Sequence, residues 1–264
     1  MPRTITLSEN IRPILAAIRS VPVPHHATGE EPPPPIVPFV TLSREPGAGA
    51  WTSAQPLTDA LNAADPGERP WTWWDRELVE KVAADHHIAT PLVESLGESH
   101  HSWLMDMFAG LSAAEHPEMA DEALVFNKVA STIRALASAG RVVIVGRGGV
   151  FITRRMTGGV HVRLVAPLEK RIERMAAHLN LSRETAAAKI REMTKTRDEL
   201  YRRYWPQEPL RPDLFTATLN TAALAPDVVT RVIVDLVRAT EAALASQLAQ
   251  PAQPAHPAKA QSTK

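Results

Sequence analysis

The sequence predicts an α/β fold: a parallel sheet covered by helices on both faces. Three observations lead there. Short apolar runs alternate with segments of helical spacing along the chain, the pattern of strand–helix–strand units. The first run, Phe39-Val40-Thr41-Leu42, ends in a turn containing Gly47 and Gly49, with a helix-forming stretch behind it. Hydrophobic residues make up 44% of the 264 residues, enough for a sizeable core.

In chain order, Ile11 to Ile18 has the spacing of a short amphipathic helix, with Ile11, Ile14, Leu15 and Ile18 on one face. Val21 to Pro35 is Pro-rich and reads as an extended linker. Residues 1–35 are therefore expected to form a helix and linker, 36–245 the folded body, and 246–264 a disordered tail poor in large apolar residues. Within the body, Ile36 to Ser43 reads as a strand and Trp51 to Ala63 as the helix after the Gly turn. Trp71 to Trp74 is a short second strand, and Asp75 is placed to cap a helix carrying Leu78, Val79 and Val82 inward. A further helix begins near Pro91. Ala120 to Ala139 repeats Leu124, Val125, Val129, Ile133 and Leu136 at helical spacing and stops at Gly140. Arg141 to Val145 and Val160 to Ala166 are buried-strand runs. Pro167 opens a helix through Leu179, and Ser182 caps the next. Phe215 to Leu219 is the last strand, and a long helix starts at Pro226.

Composition narrows the function classes. Lys+Arg and Asp+Glu are both 29, so no global field favours a nucleic acid polymer or an anionic membrane. The chain has no cysteine, which removes disulfides, thiolate metal sites and a Cys nucleophile, and fits a reducing cytoplasm. No apolar run approaches membrane-spanning length, and the first ten residues lack the apolar core of a signal peptide. The pairs His25-His26, His86-His87 and His100-His101 suggest metal binding, but adjacent helix residues point about 100° apart and do not share one ion easily. Trp71, Trp73 and Trp74 are read as core or hinge packing before base stacking.

Ligands of parallel sheets gather at the carboxyl ends of the strands. Ser43 to Gly49, Asp75, Gly146 to Gly149, Ala166-Pro167 and Asn220 converge there. A Gly turn between a strand and a helix offers backbone N–H groups and a helix N-terminus to anionic oxygens, so Gly47, Ala48 and Gly49 are candidate phosphate contacts. The full form of such a loop carries a Lys that reaches the terminal phosphates. Ala50 and Trp51 stand in its place. Thr52 is placed as the hydroxyl that ligates a divalent cation, with Ser53 beside it; a helix-start cap is the alternative. Arg44 is equally placed to make a forked phosphate contact or to pair with Glu45.

Four blocks carry a resemblance: Ser43-Arg44-Glu45-Pro46-Gly47-Ala48-Gly49, Asp75-Arg76-Glu77-Leu78, Val143-Ile144-Val145-Gly146-Arg147-Gly148, and Ala166-Pro167-Leu168-Glu169-Lys170-Arg171-Ile172-Glu173-Arg174. In this order the chain resembles the cytidylate kinase-like family of P-loop nucleoside monophosphate kinases. Leu219 to Leu224 looks like that family's last strand and turn. The resemblance runs from about Val40 to Val237. It implies a doubly wound, five-stranded parallel core of the P-loop NTPase type, ATP as donor, Mg²⁺, a nucleoside monophosphate acceptor and a mobile basic lid. It places Arg44, Gly47, Ala48, Gly49, Ala50, Trp51, Thr52 and Ser53 around ATP, and Thr52 on the metal. It places Asp75, Arg76 and Arg147 at the acceptor, and Arg147, Arg171, Arg174 and Arg197 among the catalytic groups. Arg202 and Arg203 read instead as a solvated helix face.

The chain departs from the family pattern twice. Cytidylate kinases carry Gly-Lys where this chain has Gly49-Ala50, and their relatives often carry an Arg where Trp51 stands. They also flank the Gly-Arg after the third strand with Asp, where Val145 and Gly148 occur here. The expectation is ATP-dependent phosphoryl transfer to a nucleoside monophosphate, CMP first. A nucleotide-binding protein with little kinase activity, and a kinase of a non-nucleotide small molecule, stay open beside it.

Overall fold

A computed structural model describes residues 36–49, 53–66, 69–75, 79, 117–146 and 148–249. Its centre is a five-stranded, all-parallel sheet in the order β2-β3-β1-β4-β5. The strands are β1 (Phe39–Arg44), β2 (Thr72–Trp74), β3 (Val142–Val145), β4 (Gly159–Val165) and β5 (Ala217–Asn220). The doubly wound, P-loop-type sheet expected from the sequence is the sheet observed. β1 lies between β3 and β4, pairing Thr41 with Ile144 on one side and with His161 on the other. A parallel strand needs a crossover to reach its neighbour, and the helices that make those crossovers cover both faces.

Strand alternation sorts the core into two layers. On one face Val40, Leu42, Val143, Val145, Val160, Val162 and Leu164 pack under α1 (Ala54–Ala64) and α6 (Pro226–Ala249), through Leu57, Leu61, Val229, Ile233 and Val237. On the other, Phe39, Trp74, Val142 and Ile144 pack under α2 (Pro117–Ala139) and α3 (Gly149–Thr153), through Val129, Ile133, Leu136 and Phe151. Two more helices, α4 (Leu168–Leu179) and α5 (Arg183–Tyr204), form a small apolar seam of their own from Ile172, Met175, Ala186 and Ile190. Trp205, just past α5, returns to the main core and stacks on Phe151 at 4.8 Å between ring centroids.

Local rules account for most boundaries. α2 stops before Gly140, whose amide bonds the Ala137 carbonyl. Ser182 caps α5 by accepting the Thr185 amide, as expected. α1 starts at Ala54, three residues after the expected Trp51, with Ser53 in the N-cap position. β5 begins at Ala217, two residues after the expected Phe215, because Pro212–Leu214 forms a 3₁₀ turn that leaves Phe215 to the core. α3 was not expected: five residues between β3 and β4 are too few to show a helical period. α6 runs to Ala249, past the expected edge of the folded body at 245.

Trp71, just before β2, and Trp73 and Trp74 within it are packing residues. Trp71 and Trp74 are 2% and 1% exposed. Trp73 donates its Nε1 hydrogen to Gln55 Oε1 of α1 at 2.8 Å. The helix expected from Pro91, the N-terminal helix and linker, residues 250–264 of the expected tail and the three His pairs lie outside the described residues. Among the described residues, no helix is long and apolar enough to cross a membrane, and no group of three His, Asp or Glu is placed to hold a metal ion.

Candidate active site at the carboxyl edge of the sheet

The turn after β1 is held in place from behind. Gly47 has φ +82°, and a Cβ there would lie 2.6 Å from the Arg171 carbonyl oxygen. Only glycine meets both demands at low cost. The Ala48 amide donates to the Glu45 carbonyl at 3.0 Å, closing the turn. The Ala48 carbonyl accepts from the Thr221 hydroxyl at 3.0 Å. Ser53, at the start of α1, donates its hydroxyl to the Gly49 carbonyl at 3.0 Å. The loop is thus tied to β5 on one side and to α1 on the other.

The sequence-derived site residues separate into two groups. Arg171 and Arg174, three apart on α4, share a face as their spacing demands. That face points at the back of the loop. Arg171 donates Nε to the Ala166 carbonyl at 2.9 Å and lies 3.4 Å from Glu45 Oε2. Arg174 donates two hydrogen bonds to Thr221, at 2.8 Å to the hydroxyl and 2.7 Å to the carbonyl. Both guanidiniums are engaged in fixing the loop.

Arg44 and Arg197 form the other group. Arg197, on α5, donates Nη1 to the Arg44 carbonyl at 2.7 Å. The Arg44 side chain turns across the end of β3 and occupies the space that a Cβ at Gly146 would take. Glu45, its alternative partner, lies instead beside Arg171 and Arg163. Burial, and secondarily the Arg197 charge, pull the Arg44 guanidinium down to about 10, so it stays protonated at neutral pH. Tyr201 and Asp75 oppose that shift. Burial also lowers Arg197, and burial raises the Tyr201 phenol, against the nearby arginine charges. Asp75, just past β2, receives the Val79 amide on its carbonyl at 3.1 Å, as the start of a helix requires.

Arg44, Arg197 and Tyr201 line a cleft of about 980 Å³ between the sheet edge, α2 and α5. The lining is mixed: Arg44, Arg197, Lys189 and Arg203 are basic, Glu192 and Glu199 are acidic, and Phe126, Val129, Met193 and Tyr204 are apolar or aromatic. Phe126 and Tyr204 stack with centroids 3.6 Å apart and planes 12° apart, joining α2 to α5. The sequence reading missed Tyr201, Tyr204, Phe126 and Lys189. A signal was present: Arg197, Leu200, Tyr201 and Tyr204 recur at i, i+3, i+4 and i+7, one face of a helix. Arg202 and Arg203, both read as solvated, are both exposed, and Arg203 also lines the cleft. Ala50, Trp51, Thr52, Arg76 and Arg147 lie outside the described residues.

One solved structure shares this architecture. A structure of an uncharacterized protein from Eubacterium ventriosum superposes with a TM-score of 0.56 at 16% identity, covering 76% of this chain and 98% of that one. It shows the fold alone. A shikimate kinase from Acinetobacter baumannii, in complex with shikimate, is 19% identical over 77% of this chain and 94% of that one, at a TM-score of 0.40, too low to carry an argument. A uronate isomerase from Corynebacterium glutamicum is 25% identical over 130 residues, 49% of this chain. The match spans 24% of that relative's length, so its activity stays with that protein. The model of the cytidylate kinase-like family matches residues 39–223, most of the described fold and every described residue of the cleft, and the chain belongs to that family.

Proposed function

We propose that this chain transfers the terminal phosphoryl group of ATP to a nucleoside monophosphate, with CMP as the first acceptor to test. Membership of the cytidylate kinase-like family supports phosphoryl transfer of the nucleoside monophosphate kinase kind. The observation that carries the reading is a juxtaposition. A glycine loop anchored to β5 and α1 lies at one side of the β1 end, and a two-arginine cleft lies at the other. Donor and acceptor phosphates then approach each other across Arg44.

The loop fits a nucleotide phosphate in one respect. Its left-handed glycines present backbone without side chains, at the N-terminus of an eleven-residue helix. The fit to Mg²⁺ rests on Thr52, since the Ser53 hydroxyl is given to Gly49; a cation of this kind is held largely by substrate phosphates and water. When bound, the metal neutralises charge between the two outer phosphates. The protein's part is positioning and charge. Arg171 and Arg174 hold the loop against β4 and β5, and Arg197 and Arg44 bring positive charge to the acceptor side. Arg147 and Arg76 are proposed to complete that side, with Asp75 beside them. No covalent intermediate is needed for transfer of this kind.

A second reading is favoured by Ala50-Trp51 standing where a loop Lys is expected. A protein without that Lys binds nucleotide more weakly and serves as a nucleotide-responsive switch with little turnover. A coupled kinase assay over a panel of nucleoside monophosphates, with ATP hydrolysis measured in parallel, separates the two. Acceptor-dependent ADP release supports the kinase. ATP binding by calorimetry with no transfer to any monophosphate supports the switch. No ATP binding at millimolar concentration overturns both.

A further inference from the structure

Arg44 belongs by sequence to the loop after β1, yet its side chain leaves that loop. The glycine at 146, with φ +83°, opens the space its guanidinium fills at the end of β3. Arg197, on α5, reaches the same strand end and donates to the Arg44 carbonyl at 2.7 Å. Both arginines are partly buried and line one cleft, near enough for the Arg197 charge to act on Arg44; Glu192 and Glu199 line the same cleft. Among the described residues no carboxylate forms an ion pair with either of them. Among the described residues the acid whose charge reaches Arg44 is Asp75, and it is outweighed there by burial and by Arg197. Like charges crowded out of water raise the energy of the empty site, and an anion between them removes that cost. Planar guanidiniums with several donors each match the oxygens of a phosphate.

We propose that Arg44 and Arg197 together seat the phosphate monoester of the acceptor, so that Arg44 acts on the acceptor side of the cleft and not on the ATP loop. The inference rests on the kinase reading for the name of the acceptor, and on geometry alone for the seat. The apolar part of the lining, Phe126, Tyr204 and Val129, suits the flat body of a nucleoside attached to that phosphate. A ligand with the phosphate but no base would use the two arginines only. One with the base but no phosphate would use the apolar lining only.

The test is binding calorimetry with four probes, CMP, cytidine, inorganic phosphate and ATP with Mg²⁺, on the unaltered chain and on Arg44→Gln. The seat predicts a loss of roughly ten- to a hundredfold in affinity for CMP and for phosphate, the usual size of one lost charge-assisted contact. Cytidine and ATP should change less than about twofold. In the pair Arg44→Gln and Arg197→Gln, the double variant should lose less than the product of the single losses, because both guanidiniums hold one group. If Arg44→Gln fails to fold by thermal melting, Arg197→Gln carries the same readout, and Arg44→Lys should restore part of the CMP affinity. An equal loss for ATP and CMP overturns the proposal and returns Arg44 to the ATP loop. An unchanged CMP affinity overturns it as well. Arg44-dependent CMP binding without phosphoryl transfer would remove the kinase reading and leave the seat standing.

Discussion

Gly47 is bound by two constraints at once, a left-handed φ of +82° and the Arg171 carbonyl where a side chain would begin. Gly47→Ala should therefore destabilise the protein by more than the ~1–2 kcal/mol of the left-handed conformation alone, and should weaken ATP binding; a denaturant melt beside calorimetry reads both. Ala50 presents the opposite case. If the backbone cradle is intact, Ala50→Lys adds the missing charge and tightens ATP by roughly ten- to a hundredfold. Unchanged affinity in a folded variant would mean that the loop path differs from the family's. His161 is a residue the sequence reading never singled out. It lies on β4, 8% exposed, sharing a 2.8 Å hydrogen bond between Nδ1 and the Thr41 hydroxyl. Burial pushes its pKa down to about 4. The unfolded chain then binds more protons than the native one as pH falls below the ordinary value of about 6.5. The neutral ring's contribution is full above that value and is lost as pH falls through about 4. His161→Gln should flatten the fall in melting temperature across that window. A slope unchanged by the substitution would place its origin in other groups.

At the level of elements, the strand runs were legible because parallel strands buried on both faces read as continuous apolar stretches, as in Val142-Val143-Ile144-Val145. The caps at Gly140 and Ser182 were legible because their chemistry is local. The roles of α4 and α5 were not. Spacing puts Arg171 and Arg174 on one face, but only tertiary packing decides what that face meets, and it meets Glu45, Ala166 and Thr221. Thr221 joins three elements: its hydroxyl bonds the Ala48 carbonyl, and both its oxygens accept from Arg174. Arg174→Ala should cost about 1.5–3 kcal/mol of stability, since the lost hydrogen bonds involve a charged donor. It should also raise the KM for ATP by loosening the loop. Arg174→Lys should recover stability in part, because an ammonium replaces one bond of the fork. A fall in kcat with stability and KM intact would show that the Arg174 guanidinium acts on the transferred phosphate instead.

For the whole molecule, sheet order places the two halves of the site on opposite sides of β1, and α5 is the element that reaches both the outer seam and the core. Its first half packs on α4 through Ala186 and Ile190; its end is fixed to the core by the stacks of Tyr204 on Phe126 and Trp205 on Phe151. A cleft built this way depends on how α5 is held against α2. No local pattern in the sequence reveals that, because Phe126 and Tyr204 are 78 positions apart and meet only in the folded chain. Phe126→Leu keeps the apolar bulk and removes the ring pair, so it should cost about 1 kcal/mol, the usual excess of an aromatic pair over its buried area. The same change should shift ligand-linked stability. A ligand near a hundred times its Kd stabilises the folded state by about 2.7 kcal/mol. Bound at the cleft, CMP should protect Phe126→Leu less than it protects the unaltered chain at the same concentration. ATP, bound at the loop held by β5 and α1, should protect both equally. Melting curves with each ligand alone decide it: equal loss of protection by CMP and ATP would mean that the Phe126–Tyr204 stack supports the whole fold and has no particular part in the acceptor side.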